Sequence, residues 1–88
     1  MPRYELKFAA SAERMLARLP EFAAAAIVEF ATGPLLENPL RVGKPLGLEL
    51  LGYFAARRGA YRVVFRIEND CVVRVVRIDH RADVYRTR

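Results

Sequence analysis

The sequence predicts an α+β fold: an N-terminal strand, a helical hairpin, then a three-stranded antiparallel meander, with the helices laid on one face of a mostly antiparallel sheet. Three observations predict it. Residues 3–8, RYELKF, alternate Tyr4, Leu6 and Phe8 against Arg3, Glu5 and Lys7, the two-residue period of a half-buried strand. Residues 11–32 carry apolar side chains at helical spacing, interrupted by Pro20. Three strand candidates, 53–57, 60–67 and 71–78, then follow one another with only short turns between them.

Each element has a local cause. Ser11 can cap a first helix, SAERMLARL, whose Ala12, Met15, Leu16 and Leu19 form an apolar stripe. Pro20 ends that helix and can open the next in its first turn. The second helix, EFAAAAIVEFAT, is expected to stack Phe22, Ala26, Ile27 and Phe30 on one side, and Gly33-Pro34 stops it. Residues 33–52, punctuated by Pro34, Pro39, Gly43, Pro45 and Gly47, read as loop, with LELLG as a helical turn. Gly59-Ala60 and Glu68-Asn69-Asp70 supply the turns of the meander. In its middle strand Tyr61, Val63, Phe65 and Ile67 should face the helices, which leaves Arg62 and Arg66 on an open face. The tail DHRADVYRTR reads as short irregular or helical structure.

At 88 residues the chain is read as one domain, 1–88. A chain of this length buries roughly 60–65% of its unfolded surface, enough for one modest core. With 53% hydrophobic and 28% charged residues it has globular composition rather than that of a disordered tail. The one cysteine, Cys71, excludes an internal disulfide and a cysteine-based metal cluster, and fits a reducing compartment. MPRYELKF is no signal peptide, and no run approaches the roughly 20 apolar residues that cross a bilayer. The expectation is a cytoplasmic protein without a membrane partner.

The charge is uneven. Residues 1–52 carry six basic and six acidic side chains, whereas residues 53–88 carry nine arginines against four acids, so the whole formal charge of +5 lies in the C-terminal part. Thirteen arginines to two lysines fits GC-rich coding. That bias does not explain why the excess sits at one end. Concentrated positive charge marks a polyanion binder.

The common catalytic signatures are missing. There is no GxGxxG and no GxxxxGK. One histidine and one cysteine cannot make a structural zinc site, so no metal is expected. Cys71 opens a strand, and Ser11 reads as a helix cap rather than a nucleophile. His80, in IDHRADVY, is either a structural hydrogen-bonding residue or a proton-transfer group.

GKPL (43–46), LLGYFAARRGAYRVVFRI (50–67), VVRIDHRADVYR (75–86) and the helical AERMLARLP occur in an order that resembles the RelE branch of the RelE/ParE toxins. The resemblance covers nearly the whole chain. It implies a toxin of a type II toxin–antitoxin pair, a ribosome-dependent endoribonuclease that cuts mRNA in the A site without metal or cofactor. The ribose 2′-hydroxyl attacks the neighbouring phosphate, and a cognate antitoxin blocks the basic face. Within that reading Arg62 matches the phosphate-stabilising arginine and Arg81 is the next candidate, since guanidinium forks suit phosphate oxygens. Tyr85 matches the tyrosine that stacks or positions a base. His80 has the pKa class for proton transfer near neutrality. Arg57, Arg58 and Arg66 read as RNA-backbone contacts, Arg74 and Arg77 more weakly so. The best-known members place two lysines where this chain has Tyr53 and Ala55, so the general base is His80 first and Lys44 second, with Glu49 less well aligned. Two rival readings share the fold: a ParE-like gyrase inhibitor and a decayed toxin that only binds its antitoxin.

Overall fold

The structure is a computed structural model that describes residues 4–47 and 51–81. The order of elements is β1 (Glu5–Phe8), α1 (Ala10–Arg18), α2 (Glu21–Thr32), α3 (Pro34–Glu37), α4 (Pro39–Val42), β2 (Lys44–Pro45), β3 (Tyr53–Arg58), β4 (Tyr61–Glu68) and β5 (Val72–His80). The five strands form one sheet in the order β1-β5-β4-β3-β2. β1 runs parallel to β5 and the other pairs are antiparallel. The α+β architecture and the meander are as expected. No described helix is long and apolar enough to cross a membrane.

The core lies between the helices and one face of the sheet. Ala12, Ile27, Phe30, Ala31 and Leu35 meet Ala56, Val63, Phe65, Val73, Val75 and Ile78 there. Phe65 is fully buried and stacks on Phe54 with ring centroids 5.6 Å apart. A Cβ at Gly43 would stand 2.5 Å from the Phe65 ring, so this glycine is needed for close approach rather than for its dihedrals.

Two turns set the meander. Gly59 takes φ +60° at the first central position of a two-residue hairpin turn, where glycine carries no steric cost. Asn69 and Asp70 both have positive φ, and Cys71 N–H donates to the Glu68 carbonyl at 3.0 Å. That is the geometry of a type I′ turn, which Asn and Asp tolerate.

The structure departs from the sequence expectation at Ser11, at Phe22 and in the stretch read as loop. Ser11 does not cap α1: the helix starts at Ala10, and the Ser11 hydroxyl donates to the Val76 carbonyl at 3.0 Å. Val76 is the extra residue of a β-bulge, because Val64 pairs with Arg77 while Phe65 pairs with Val75. β1 covers β5 only from Val72 to Val75, and beyond it α1 takes over that edge, with Ile78 N–H on Met15 Sδ at 3.5 Å. Phe22 is 80% exposed and does not join the buried side of α2, which is Ala23, Ile27, Phe30 and Ala31. The helix is apolar almost all round, so periodicity did not single out a face. The stretch read as loop holds α3, α4 and β2. Pro34 and Pro39 stand in the first turns of the two short helices, where a missing N–H costs nothing. Residues 48–50, part of the expected LELLG turn, lie outside the described residues.

Removing the Ser11 hydroxyl strands the half-buried Val76 carbonyl. We expect Ser11→Ala to lower unfolding stability by about 1–2 kcal/mol, read from urea melts. An unchanged midpoint would show that the bulge does not need this bond.

Candidate nucleic-acid interface

The side-chain period of two and the registers sort the sheet into a helix-covered face and an open one. Arg62, Val64, Arg66 and Glu68 of β4 stand on the open face, opposite Asp79, Arg77, Arg74 and Val72 of β5. Tyr53, Ala55 and Arg57 of β3 lie on their other side. Lys44 follows beside Ala55, and Glu5 and Lys7 lie at the far edge beside Val72 and Arg74. Among the described residues this face therefore carries seven basic and three acidic side chains. The bulge at Val76 matters here. In an unbroken strand, residues 74 and 77 would point to opposite faces; the extra residue puts Arg74 and Arg77 on the same one.

The arginines are tied down in two similar clusters. Asp79 Oδ2 accepts from Arg62 Nη2 at 3.2 Å and from Arg77 Nε at 3.0 Å. Glu68 Oε2 accepts from Arg66 Nε at 2.7 Å and from Arg74 Nε at 2.8 Å. Arg66 Nη1 also donates to the Tyr53 hydroxyl at 2.9 Å, with the guanidinium carbon 5.8 Å from the ring centroid. One carboxylate oxygen thus bridges an arginine of β4 and an arginine of β5 at each end. Like charges directly opposite across strands repel, and Arg66–Arg74 and Arg57–Arg62 are such pairs. The bridging acids offset that repulsion while leaving each cluster net positive.

Arg62 differs from the other described arginines in having a buried donor left over. It sits between Arg57 and Asp79, and its Nε is a buried donor with no acceptor among the described residues. A buried, unpaired donor carries a desolvation cost that an incoming oxygen would remove. Beside it opens a cleft of about 470 Å³ lined by Lys44, Pro45, Ala55, Arg57 and Arg62.

The structure does not bring all the expected site residues together. Arg62, Arg57, Lys44 and Arg66 share the open face. His80 does not: it is the cross-strand partner of Tyr61, on the helix side, and its ring meets Tyr61 edge-on at 5.1 Å. Arg58 pairs with Tyr61 from the other strand and lines, with His80, Pro20, Phe22 and Ile27, a second cavity of about 330 Å³ on that side. The physical reason is alternation: Arg58 and His80 fall one residue out of phase with Arg57 and Asp79. Arg81 is exposed at the end of β5, its N–H on the Ala60 carbonyl at 2.7 Å. Tyr85 and Glu49 lie outside the described residues. Sequence reading missed Glu68 and Asp79 as organising groups. Their signal was present as R-x-E (66–68) and R-x-D (77–79), acids two residues from an arginine on the same strand face.

Comparison with known proteins now decides the family. The family model described as ParE toxin of type II toxin–antitoxin system, parDE, matches residues 6–85. The chain belongs to the RelE/ParE toxin superfamily. It is 52% identical over 84 residues to Toxin RelG of Mycobacterium tuberculosis, covering 94% of this chain and 97% of that one. It superposes on a chain of the toxin–antitoxin complex RelBE2 from the same organism with TM-score 0.85 and 50% identity, over 90% of this chain and 99% of the other. The intact Escherichia coli RelBE complex gives TM-score 0.72 at 20% identity over 88% and 95% of the two chains, a likeness of fold.

The bridge at Glu68 makes the RelE-type sheet sensitive to acid. Arg74, then Arg66, hold the Glu68 carboxyl below the usual carboxylate range, and Glu68, then Tyr53, raise Arg66. A depressed carboxyl contributes stability that is full above its unfolded value, about 4.3, and is lost as pH falls through its lower folded value. The melting temperature should therefore fall as pH drops from about 5 to about 3, and Glu68→Gln should flatten that part of the profile. Identical acid profiles for the two proteins would contradict this.

Proposed function

We propose that this chain is the toxin of a type II toxin–antitoxin pair and acts as a ribosome-dependent mRNA endoribonuclease in the cytoplasm. The observation that carries the reading is the arginine-lined open face of a RelE-type sheet, with Arg62 at its centre beside a cleft. In the reaction the 2′-oxygen attacks the neighbouring phosphorus, the bond to the 5′-oxygen breaks, the 2′-hydroxyl loses a proton and the 5′-oxygen gains one. The pentacoordinate phosphate accumulates negative charge, which fixed donors stabilise without reorganising. Arg62 and its neighbour Arg57 supply that charge. Since the nucleophile belongs to the RNA and guanidinium groups neutralise the phosphate, this reading uses no metal or cofactor.

For proton transfer we assign Lys44 ahead of His80. Lys44 lines the cleft with Arg57 and Arg62, whereas His80 faces the helices across the sheet. A proton-transfer group has to come within hydrogen-bond reach of the atom it serves. Arg66 contacts the RNA backbone in this reading. Arg81 and Tyr85 follow β5 in the chain and keep the roles that the family motif gives them. The partner is a cognate antitoxin whose acidic side chains meet the basic face; the solved relative at 50% identity is a toxin–antitoxin complex.

Single-turnover cleavage of mRNA on programmed ribosomes tests the assignment. Arg62→Ala should lose at least about a hundredfold in rate while still binding antitoxin. Lys44→Ala should lose roughly tenfold or more, and His80→Ala less than about threefold. A larger loss for His80→Ala than for Lys44→Ala would move proton transfer to the helix side of the sheet.

A further inference from the structure

We propose that Arg66 and Arg74, clamped by Glu68, form a second phosphate-binding subsite for the substrate RNA, separate from the linkage held at Arg62. This rests on the nuclease reading above. Each arginine spends its Nε on the same Glu68 oxygen. Arg66 spends one further nitrogen on Tyr53. That leaves both terminal nitrogens of Arg74 and one of Arg66 with no acceptor among the described residues. The guanidinium groups are fixed yet open to solvent, at 39% and 28% side-chain exposure. Two cations share one anion, and Lys7 stands next in the row as the cross-strand partner of Arg74. Fixed, partly exposed, net-positive forks of this kind match the geometry of phosphate oxygens.

The same arrangement occurs twice on the sheet. The Arg62–Asp79–Arg77 and Arg66–Glu68–Arg74 clusters are built alike, an arginine from each of β4 and β5 on one carboxylate oxygen. They stand on the same face, and the bulge at Val76 brings the second β5 arginine to that face. Arg66 lies four residue steps along β4 from Arg62, roughly 13 Å at about 3.3 Å per residue. An unstacked single strand spans that distance in about two nucleotides, so one RNA backbone can lie across both clusters. Arg62 then acts on the bond that breaks, and the second cluster holds the strand in register.

The test uses ribosomes programmed with mRNAs in which single phosphates near the cut are replaced by neutral methylphosphonates. With the wild-type toxin, one linkage about two nucleotides from the cut should raise KM roughly tenfold and leave the saturated rate within about twofold. Arg74→Gln should show the same KM increase on unmodified mRNA and no further increase with that methylphosphonate. Its binding should also lose about 0.7 from the salt-dependence slope, one phosphate contact on a single strand. Glu68→Gln, which keeps both arginines and removes an acid, should bind as tightly as wild type or tighter. Arg74→Lys keeps the charge and serves if the glutamine variant does not fold; it should fall between the two. The Arg62→Ala protein carries the same comparison as a binding measurement by fluorescence, so failure of the nuclease reading and failure of the subsite are told apart. An Arg74→Gln protein that binds as wild type, or whose loss adds in full to every methylphosphonate, overturns the proposal.

Discussion

Strand β4 has to bury one face and charge the other, and the rest of the structure follows from that constraint. Phe65 and Val63 point into the core with no exposed surface. The two-residue period then forces Arg62 and Arg66 outward. Burial of the apolar side pins the register, since a slip of one residue would put arginines under the helices and phenylalanine in water. The arginine face is therefore held by the core beneath it. The helices, the close approach at Gly43 and the Phe54–Phe65 stack all bear on the arginine face through this one strand.

Concentrating positive charge on one sheet face has a cost that the fold handles locally. Arg57, Arg62, Arg66, Arg74 and Arg77 come from three neighbouring strands. Two carboxylates, each shared by two arginines, reduce the repulsion without neutralising the surface. Exposed ion pairs add little stability on their own, typically about 0–1 kcal/mol. Their larger effect is to set which guanidinium nitrogens stay available. At Arg62 that leaves a buried donor and a cleft edge; at Arg66 and Arg74 it leaves outward-facing forks. The same alternation places Arg58 and His80 on the helix side, so the basic C-terminal stretch serves two surfaces rather than one.

The alternation of β4, the helical hairpin and the meander were legible because each is a local pattern. So was the family likeness, carried by short motifs in a fixed order. What stayed hidden depended on contacts distant in sequence. Ser11 reads as a helix cap until Val76, 65 residues away, offers a bulged carbonyl. The bulge leaves no mark in CVVRVVRI, yet it decides that Arg74 and Arg77 share a face. Phe22 was misplaced because α2 is apolar almost all round. The short helices at Pro34 and Pro39 lay under punctuation that reads equally well as loop. His80 was placed by its position at a strand end, and only the register shows which side of the sheet it faces.

If Arg62 on the open face makes this chain a nuclease acting on translated mRNA, replacing it removes the cuts. The most direct measurement is 5′-end mapping of cellular mRNA after induction in a growing bacterium, for the wild type and Arg62→Ala. New ends in register with the reading frame, within codons, are expected in the wild type and none in the variant. Growth arrest without such ends, or the same ends from the variant, would contradict this reading.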